Sequence, residues 1–233
     1  MTLVPSAATR PVPALSRRER ERLARRAAML DAATALFAEK GYASATLDEV
    51  AERAEFGKGT LYNYFPGGKE ELLFAVFDDL FDGLRALFAE HFAHADDRPI
   101  RAVYRDLIAR LLHHFSVNQA AFYLLIKEVQ RMMIEGDGAK VAGLMERRDE
   151  TIAMMEAPLR AAMDAGTIRR LPVSAVAHTI MGNVKGMLMY LEPPPDCPEP
   201  YAEQTAFQTL DETADFITTI LFDGLCALPD TEA

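Results

Sequence analysis

Along most of this chain apolar residues recur every three or four positions, the period of a helix that buries one face, and no stretch alternates as a strand would. The first run predicts a helix from about Arg18 to Lys40 that buries Leu23, Ala27, Leu30, Ala33 and Phe37 and stops at Gly41. Thr46 and Glu49 have the spacing of a capping box, so a short helix is expected over Thr46 to Ala54, with Val50, Ala51 and Ala54 as a small inner face. After a turn at Glu55-Phe56-Gly57, a second short helix from Lys58 to Phe65 buries Leu61 and Phe65 at four-residue spacing.

A fourth helix is expected from about Lys69 to His91. Its stripe of Leu73, Phe77, Leu80, Leu84 and Leu87 is doubled by Phe74, Phe81, Phe88 and Phe92, so it must be buried on two sides. Helices over Ile100 to Asn118 and Gln119 to Met133 follow, up to a break at Glu135-Gly136-Asp137-Gly138. A long helix starting near Ala139 should be kinked or interrupted by Pro158 and end at Gly166. Two more are expected from about Val173 to Leu191 and Tyr201 to Leu225, separated by the stiff link Glu192-Pro193-Pro194-Pro195-Asp196. The expected fold is all-α, with about nine helices.

The Lys58–Phe65 segment is unusual because, beyond its two buried residues, it carries Lys58, Thr60, Tyr62, Asn63 and Tyr64, several of which must face outward. Such groups grip phosphates and base edges. Two short helices meeting across a tight turn, the second polar on its outer face, form a DNA-binding helix-turn-helix.

The same stretch resembles the TetR family of one-component bacterial regulators. The elements that carry the resemblance are Leu36-Phe37-Ala38-Glu39-Lys40-Gly41-Tyr42, then Thr46 to Ala54, then Gly59-Thr60-Leu61-Tyr62-Asn63-Tyr64-Phe65, then Lys69-Glu70-Glu71-Leu72. It covers roughly Arg20 to Val76. Glu55-Phe56-Gly57 stands where the family usually has Gly, Val and Ser, so either Glu55 strains the turn or the local turn differs, and Pro66-Gly67-Gly68 is one residue longer than the common spacing.

The resemblance implies a three-helix headpiece followed by a helical regulatory and dimerisation domain. It implies that Thr46 and Lys69 bond phosphates while Lys58, Gly59, Thr60 and Tyr62 reach the major groove. Asn63 and Tyr64 would reach the backbone or a base edge, Tyr64 having packing under the headpiece as an equal alternative. The domain boundaries expected are a disordered extension over 1–17, the DNA-binding domain over 18–68, and the ligand-binding and dimerisation domain over 69–228.

The formal net charge of −10 first counts against DNA binding. Its distribution answers that. Residues 1–72 carry eleven Lys and Arg against ten Asp and Glu, +1 net, which leaves −11 downstream. Between Arg10 and Arg26 seven arginines face only Glu19 and Glu21, either as an arm along DNA or as a solvated helix start.

The first sixteen residues lack a charged start and a continuous apolar core, so they are no signal peptide, and no apolar stretch is long enough to span a membrane. Cys197 and Cys226 have no metal-ligand spacing and form no disulfide framework. A cytoplasmic protein without cofactors is expected. No phosphate loop, nucleophile elbow or paired nucleophile and base is visible, which argues against an enzyme. His91 and His94, followed by Asp96 and Asp97, read as a solvated helix end before they read as a metal site.

Two partners besides double-stranded operator DNA are expected. The methionines between the fifth and eighth helices are adaptable apolar groups that either fill core or line a cavity for an apolar small-molecule effector. His113, Phe122, Met132, Met154, Met155 and His178 are the candidate lining residues. A second copy of the chain would dock on 173–191 and 201–225, through Val176, Ile180, Val184, Met187 and Leu191 with close approach at Gly182 and Gly186, and through Phe207, Leu210, Ala214, Ile217 and Leu221 with Phe216 and Ile220 beside them, unless those stripes are ordinary core. The expected function is a dimeric repressor that binds a palindromic operator and is released by a small ligand. Its rival is a helical binding protein or enzyme that does not bind DNA.

Overall fold

The computed structural model describes residues 16–94, 98–193, 207 and 209–224. The amino-terminal extension up to residue 15, Asp96, Asp97, both cysteines, most of the proline link and residues 201–206 lie outside them. The described residues form ten helices and no strand.

Three helices make the headpiece: α1 (Arg17–Lys40), α2 (Leu47–Arg53) and α3 (Lys58–Tyr64). Ser16 starts α1, its hydroxyl accepting from the Glu19 amide while the Glu19 carboxylate accepts from the Ser16 amide. Thr46 and Glu49 form the same reciprocal pair at α2. Phe37, Val50, Leu61 and Phe65 join one continuous core with Leu72 and Leu73 of the next helix. The first three turns of α1 project beyond it: Leu23 is 52% exposed and Ala27 is exposed, against the burial expected for both. A helix long enough to leave its partners keeps its apolar period but has nothing there to pack against.

Seven helices follow, namely α4 (Gly68–Ala93), α5 (Ile100–Val117), α6 (Gln119–Glu135), α7 (Gly138–Ala153), α8 (Glu156–Asp164), α9 (Val173–Leu191) and α10 (Leu210–Phe222). α4 is buried on two sides, as its doubled stripe requires, and touches α1, α5, α6 and α7. It is therefore a rigid link between headpiece and body. The long helix expected around Pro158 is two helices that part at Met154–Met155. The proline ring cannot tolerate the carbonyl four residues back, so the break falls at Met154 and Pro158 sits in the first turn of α8.

α5 is the hub of the body. Tyr104, Leu107, Ile108, Leu111 and Leu112 are all buried, and the Tyr104 hydroxyl donates to the Met155 carbonyl at 2.7 Å. Against α5 pack both helices expected to carry a dimer interface. Ile180 and Val184 of α9 and Ala214 and Ile217 of α10 are buried in the chain's own core. Those four are thus core residues, while Gly186 of α9 and Phe216 of α10, also among the residues expected to meet a second copy, face solvent.

Ion pairs hold α10 in place. Arg105 bonds Asp215 at 2.8 Å and Asp211 at 3.1 Å, and Arg101 bonds Asp223 at 2.7 Å. The hydrogen bond from Arg105 lowers the Asp215 pKa below its usual 3.8, and the one from Arg101 does the same for Asp223. A carboxylate whose folded-state pKa lies below its unfolded one stabilises the fold above the unfolded value, and that stability is lost as pH falls through the folded pKa. The amide-exchange protection of α10, corrected for intrinsic rates, should therefore hold at pH 6 and weaken below about pH 4 by more than that of α5.

Candidate DNA-binding surface and interior cavity

The turn between α2 and α3 is a helix ending of the Schellman type: the Phe56 amide bonds the Ala51 carbonyl at 2.9 Å and the Glu55 amide bonds the Glu52 carbonyl at 3.0 Å. That geometry needs a left-handed residue, and Glu55 takes it with φ +58°, alone among the described non-glycine residues. A β-carbon held there costs about 1 kcal/mol. Glu55→Gly should raise the melting temperature by about 2–4 °C, which a thermal melt would read directly.

Leu61 and Phe65 anchor α3 inward, so its other residues turn out. Tyr62 is 41% exposed, Lys58, Gly59 and Asn63 are exposed, and Thr60 is half-buried. Tyr64 is half-buried and packs on the core, as the packing alternative has it. A β-carbon added to Gly59 would meet nothing within 4 Å, so the chain itself does not require glycine here. Lys58 is held by Asp48 of α2 at 2.7 Å, and this hydrogen bond raises its pKa. The Thr46 hydroxyl is engaged with Glu49, whose pKa is lowered to about 2, chiefly by the Lys40 ammonium.

Lys69, the other residue expected to contact phosphate, is engaged within the chain. Its ammonium donates to the carbonyls of Tyr42 at 2.9 Å, Ala43 at 3.1 Å and Ala45 at 2.9 Å, and lies 4.6 Å from the centre of the Tyr42 ring. All three donors are spent inside the chain. The lysine thereby ties the start of α4 to the loop that leads into α2. The Arg131 guanidinium of α6 stands 5.4 Å from the same Tyr42 ring and is held by the buried Glu128 at 2.7 Å. Headpiece and body meet at this ring.

A cavity of about 250 Å³ lies between α4, α6, α7 and α9. Phe122 and His178 line it, together with Phe81, Leu84, Ile126 and Met181. Of the other expected lining residues, Met132 and Met155 are buried elsewhere in the core, Met154 is half-buried against it, and His113 is exposed at a separate surface hollow beside Leu210. Methionine spacing could not separate core from cavity wall, because both are apolar helix faces. His114 is packed against Gly83, and burial lowers its pKa. His91 is buried with Nε2 2.9 Å from the Val103 carbonyl, and no group of three metal-ligating side chains occurs among the described residues.

Residues 29–76 match the family model described as bacterial regulatory proteins, tetR family. The matched segment is thus a TetR-type headpiece. The HTH-type transcriptional repressor Rv3405c of Mycobacterium tuberculosis is 38% identical over 112 residues, 46% of this chain and 58% of that protein. The chain thus spans little more than half the length of this curated relative. Two solved structures extend the likeness of fold into the body. PfmR from Thermus thermophilus superposes with a TM-score of 0.65 at 22% identity, covering 85% of this chain and 99% of PfmR. FadR from Bacillus subtilis, in complex with stearoyl-CoA, has a TM-score of 0.65 at 16% identity, covering 86% of this chain and 99% of FadR.

These relatives are named as regulators and none as an enzyme. Among the described residues no helix is long and apolar enough to cross a membrane. Two features of this TetR-family headpiece were invisible to pattern reading. The Lys69 cradle depends on carbonyls 24 to 27 residues away, and the Tyr42–Arg131 contact on a helix almost ninety residues on. Neither leaves a periodic trace, although an aromatic after the α1 stop and a basic residue at the α4 start were there to be seen.

Proposed function

We propose that this TetR-family chain is a cytoplasmic DNA-binding transcriptional repressor that grips a palindromic operator as a dimer and lets go when a small apolar ligand enters the body. The observation that carries the reading is α3: anchored by two buried residues, it presents Lys58, Gly59, Thr60, Tyr62 and Asn63 outward with open space over Gly59. The residues from 18 to 68 act as the DNA-binding domain and those from 69 onward as the ligand-binding and dimerisation domain. Thr46 lies at the amino-terminal edge of α2, where phosphate is favoured by helix-end amides.

One short helix reads few bases, so two copies about 34 Å apart are needed to read a palindrome. The outward face of α9, with Thr179, Asn183, Gly186 and Tyr190 at helical spacing, and Phe216, 42% exposed on α10, supply a surface for the second copy. This face lies on a different side of α9 from the cavity. Ligand acts through α6, which carries Phe122 and Ile126 on the cavity wall and Glu128 and Arg131 on the headpiece side. A ligand that shifts α6 changes the purchase of Arg131 on Tyr42, and only a difference in affinity between the two states can move the equilibrium.

A gel-shift assay with the DNA upstream of the chain's own coding region tests the reading, with footprinting to give the operator. Retarded DNA with a twofold-symmetric footprint is expected. A chain that binds small apolar molecules yet retards no such DNA would be the rival carrier. By reciprocity operator must weaken ligand binding by the same factor that ligand weakens operator binding; equal ligand affinity with and without operator would refute the release mechanism.

A further inference from the structure

The lining of the interior cavity is lopsided in charge. Its walls are apolar side chains of α4, α5, α6, α7 and α9, yet Arg148 of α7 and Lys185 of α9 also line it, and no carboxylate among the described residues does. Arg148 is engaged with Asp149 at 2.7 Å, and Asp149 lies 3.2 Å from Nε2 of His178. Lys185 is exposed, stands two turns beyond His178 on the same side of α9, and has no ion pair among the described residues. Between them sits Gly182, where an added β-carbon would meet no atom within 4 Å. That stretch of α9 is the open mouth, with an unengaged cation at its edge.

A cation without a partner at the rim of an apolar chamber costs little while solvated and gains a charge-assisted bond when an anion arrives. A chamber of 250 Å³ holds about eight methylenes, each filling roughly the share of liquid volume of a water, near 30 Å³. We infer that the cavity takes a medium-length alkyl chain with an anionic head, the chain lying among Phe81, Leu84, Phe122 and Ile126 and the head resting on Lys185, with Arg148 free to leave Asp149 and join it. This rests on the reading of the cavity as the effector site. The anion is a carboxylate, which carries its charge at the end of the alkyl chain and so at the mouth, whereas an acyl thioester of coenzyme A is neutral there and carries its phosphates a pantetheine arm away.

Calorimetric titration of the full-length protein with decanoate, decanoyl-CoA, decanol and decyltrimethylammonium tests it. An anionic ligand is expected to bind about tenfold more tightly than decanol, and decyltrimethylammonium more weakly still. Decanoate is expected to bind more tightly than decanoyl-CoA, and the reverse order would overturn the placement of the charge at Lys185. Lys185→Met should bring the anion down to the level of decanol and leave decanol unchanged. Gly182→Leu, whose side chain starts in open space at the mouth, should abolish binding of both at an undiminished melting temperature. Equal affinity for decanol and the anions, or an anion preference that survives Lys185→Met, overturns the charge assignment and leaves the cavity as a site for neutral apolar ligands. Absence of binding by all four compounds overturns the effector reading of the cavity itself.

Discussion

Replacing Gly59 with alanine is expected to weaken DNA binding by about 5- to 150-fold, the value of one good base contact, while the free protein becomes no less stable. The two halves of that result have separate causes. In the free chain the new methyl meets nothing within 4 Å, so no neighbour has to move. Alanine is also the better helix former by up to about 1 kcal/mol, worth about 2–4 °C in a chain of this size, although a first-turn position realises only part of that. On DNA the outcome reverses. Gly59 is the second residue of α3, at the end that enters the groove in a helix-turn-helix, and a methyl there holds the backbone away from the bases. Gel shift and thermal melting on the same preparation read both halves. Unchanged operator affinity would mean that the start of α3 does not approach DNA.

Lys69→Met is the second large effect, and it distinguishes two jobs for one ammonium. Three charge-assisted hydrogen bonds to carbonyls are lost, and with them the tie between α4 and the loop at 42–45. The site is only half-buried, so water recovers part of the loss, and a destabilisation of about 1–3 kcal/mol is expected. That corresponds to a melting temperature lower by roughly 3–10 °C. DNA affinity falls because the headpiece is less ordered, but the slope of log affinity against log salt stays as it was, since no phosphate contact is removed. A lysine that touched phosphate would behave oppositely: its loss lowers the slope by about one and spares the fold. Lys69→Arg should not restore stability, because a planar fork cannot place three donors on three converging carbonyls.

The helix-turn-helix was legible because its signals are local. Thr46 and Glu49 are three residues apart, Leu61 and Phe65 four, and the left-handed strain at Glu55 follows from a side chain standing in a glycine position. The doubled stripe of α4 likewise announced burial on two sides. Where partners come from distant sequence, the pattern was silent or misleading. Leu23 has the right period and is exposed, because α1 outruns the core. Ile180, Val184, Ala214 and Ile217 looked like an interface and are core, because α5 occupies the space beside them. That Lys69, picked out for phosphate, also ties down a loop was not legible, because its carbonyl partners lie 24 to 27 residues away.

The sequence by itself determined the all-α class, the position and capping of the headpiece helices and the outward polar face of α3, since hydrophobic period, caps and turns act over a few residues and a folded chain cannot ignore them. Only the tertiary structure decided which apolar stripes meet their own chain, where the helical body leaves a cavity and which cations face it, and how Tyr42 comes to join headpiece and body. Those depend on which helices become neighbours in space, and a helix period says that a face is buried without saying against what.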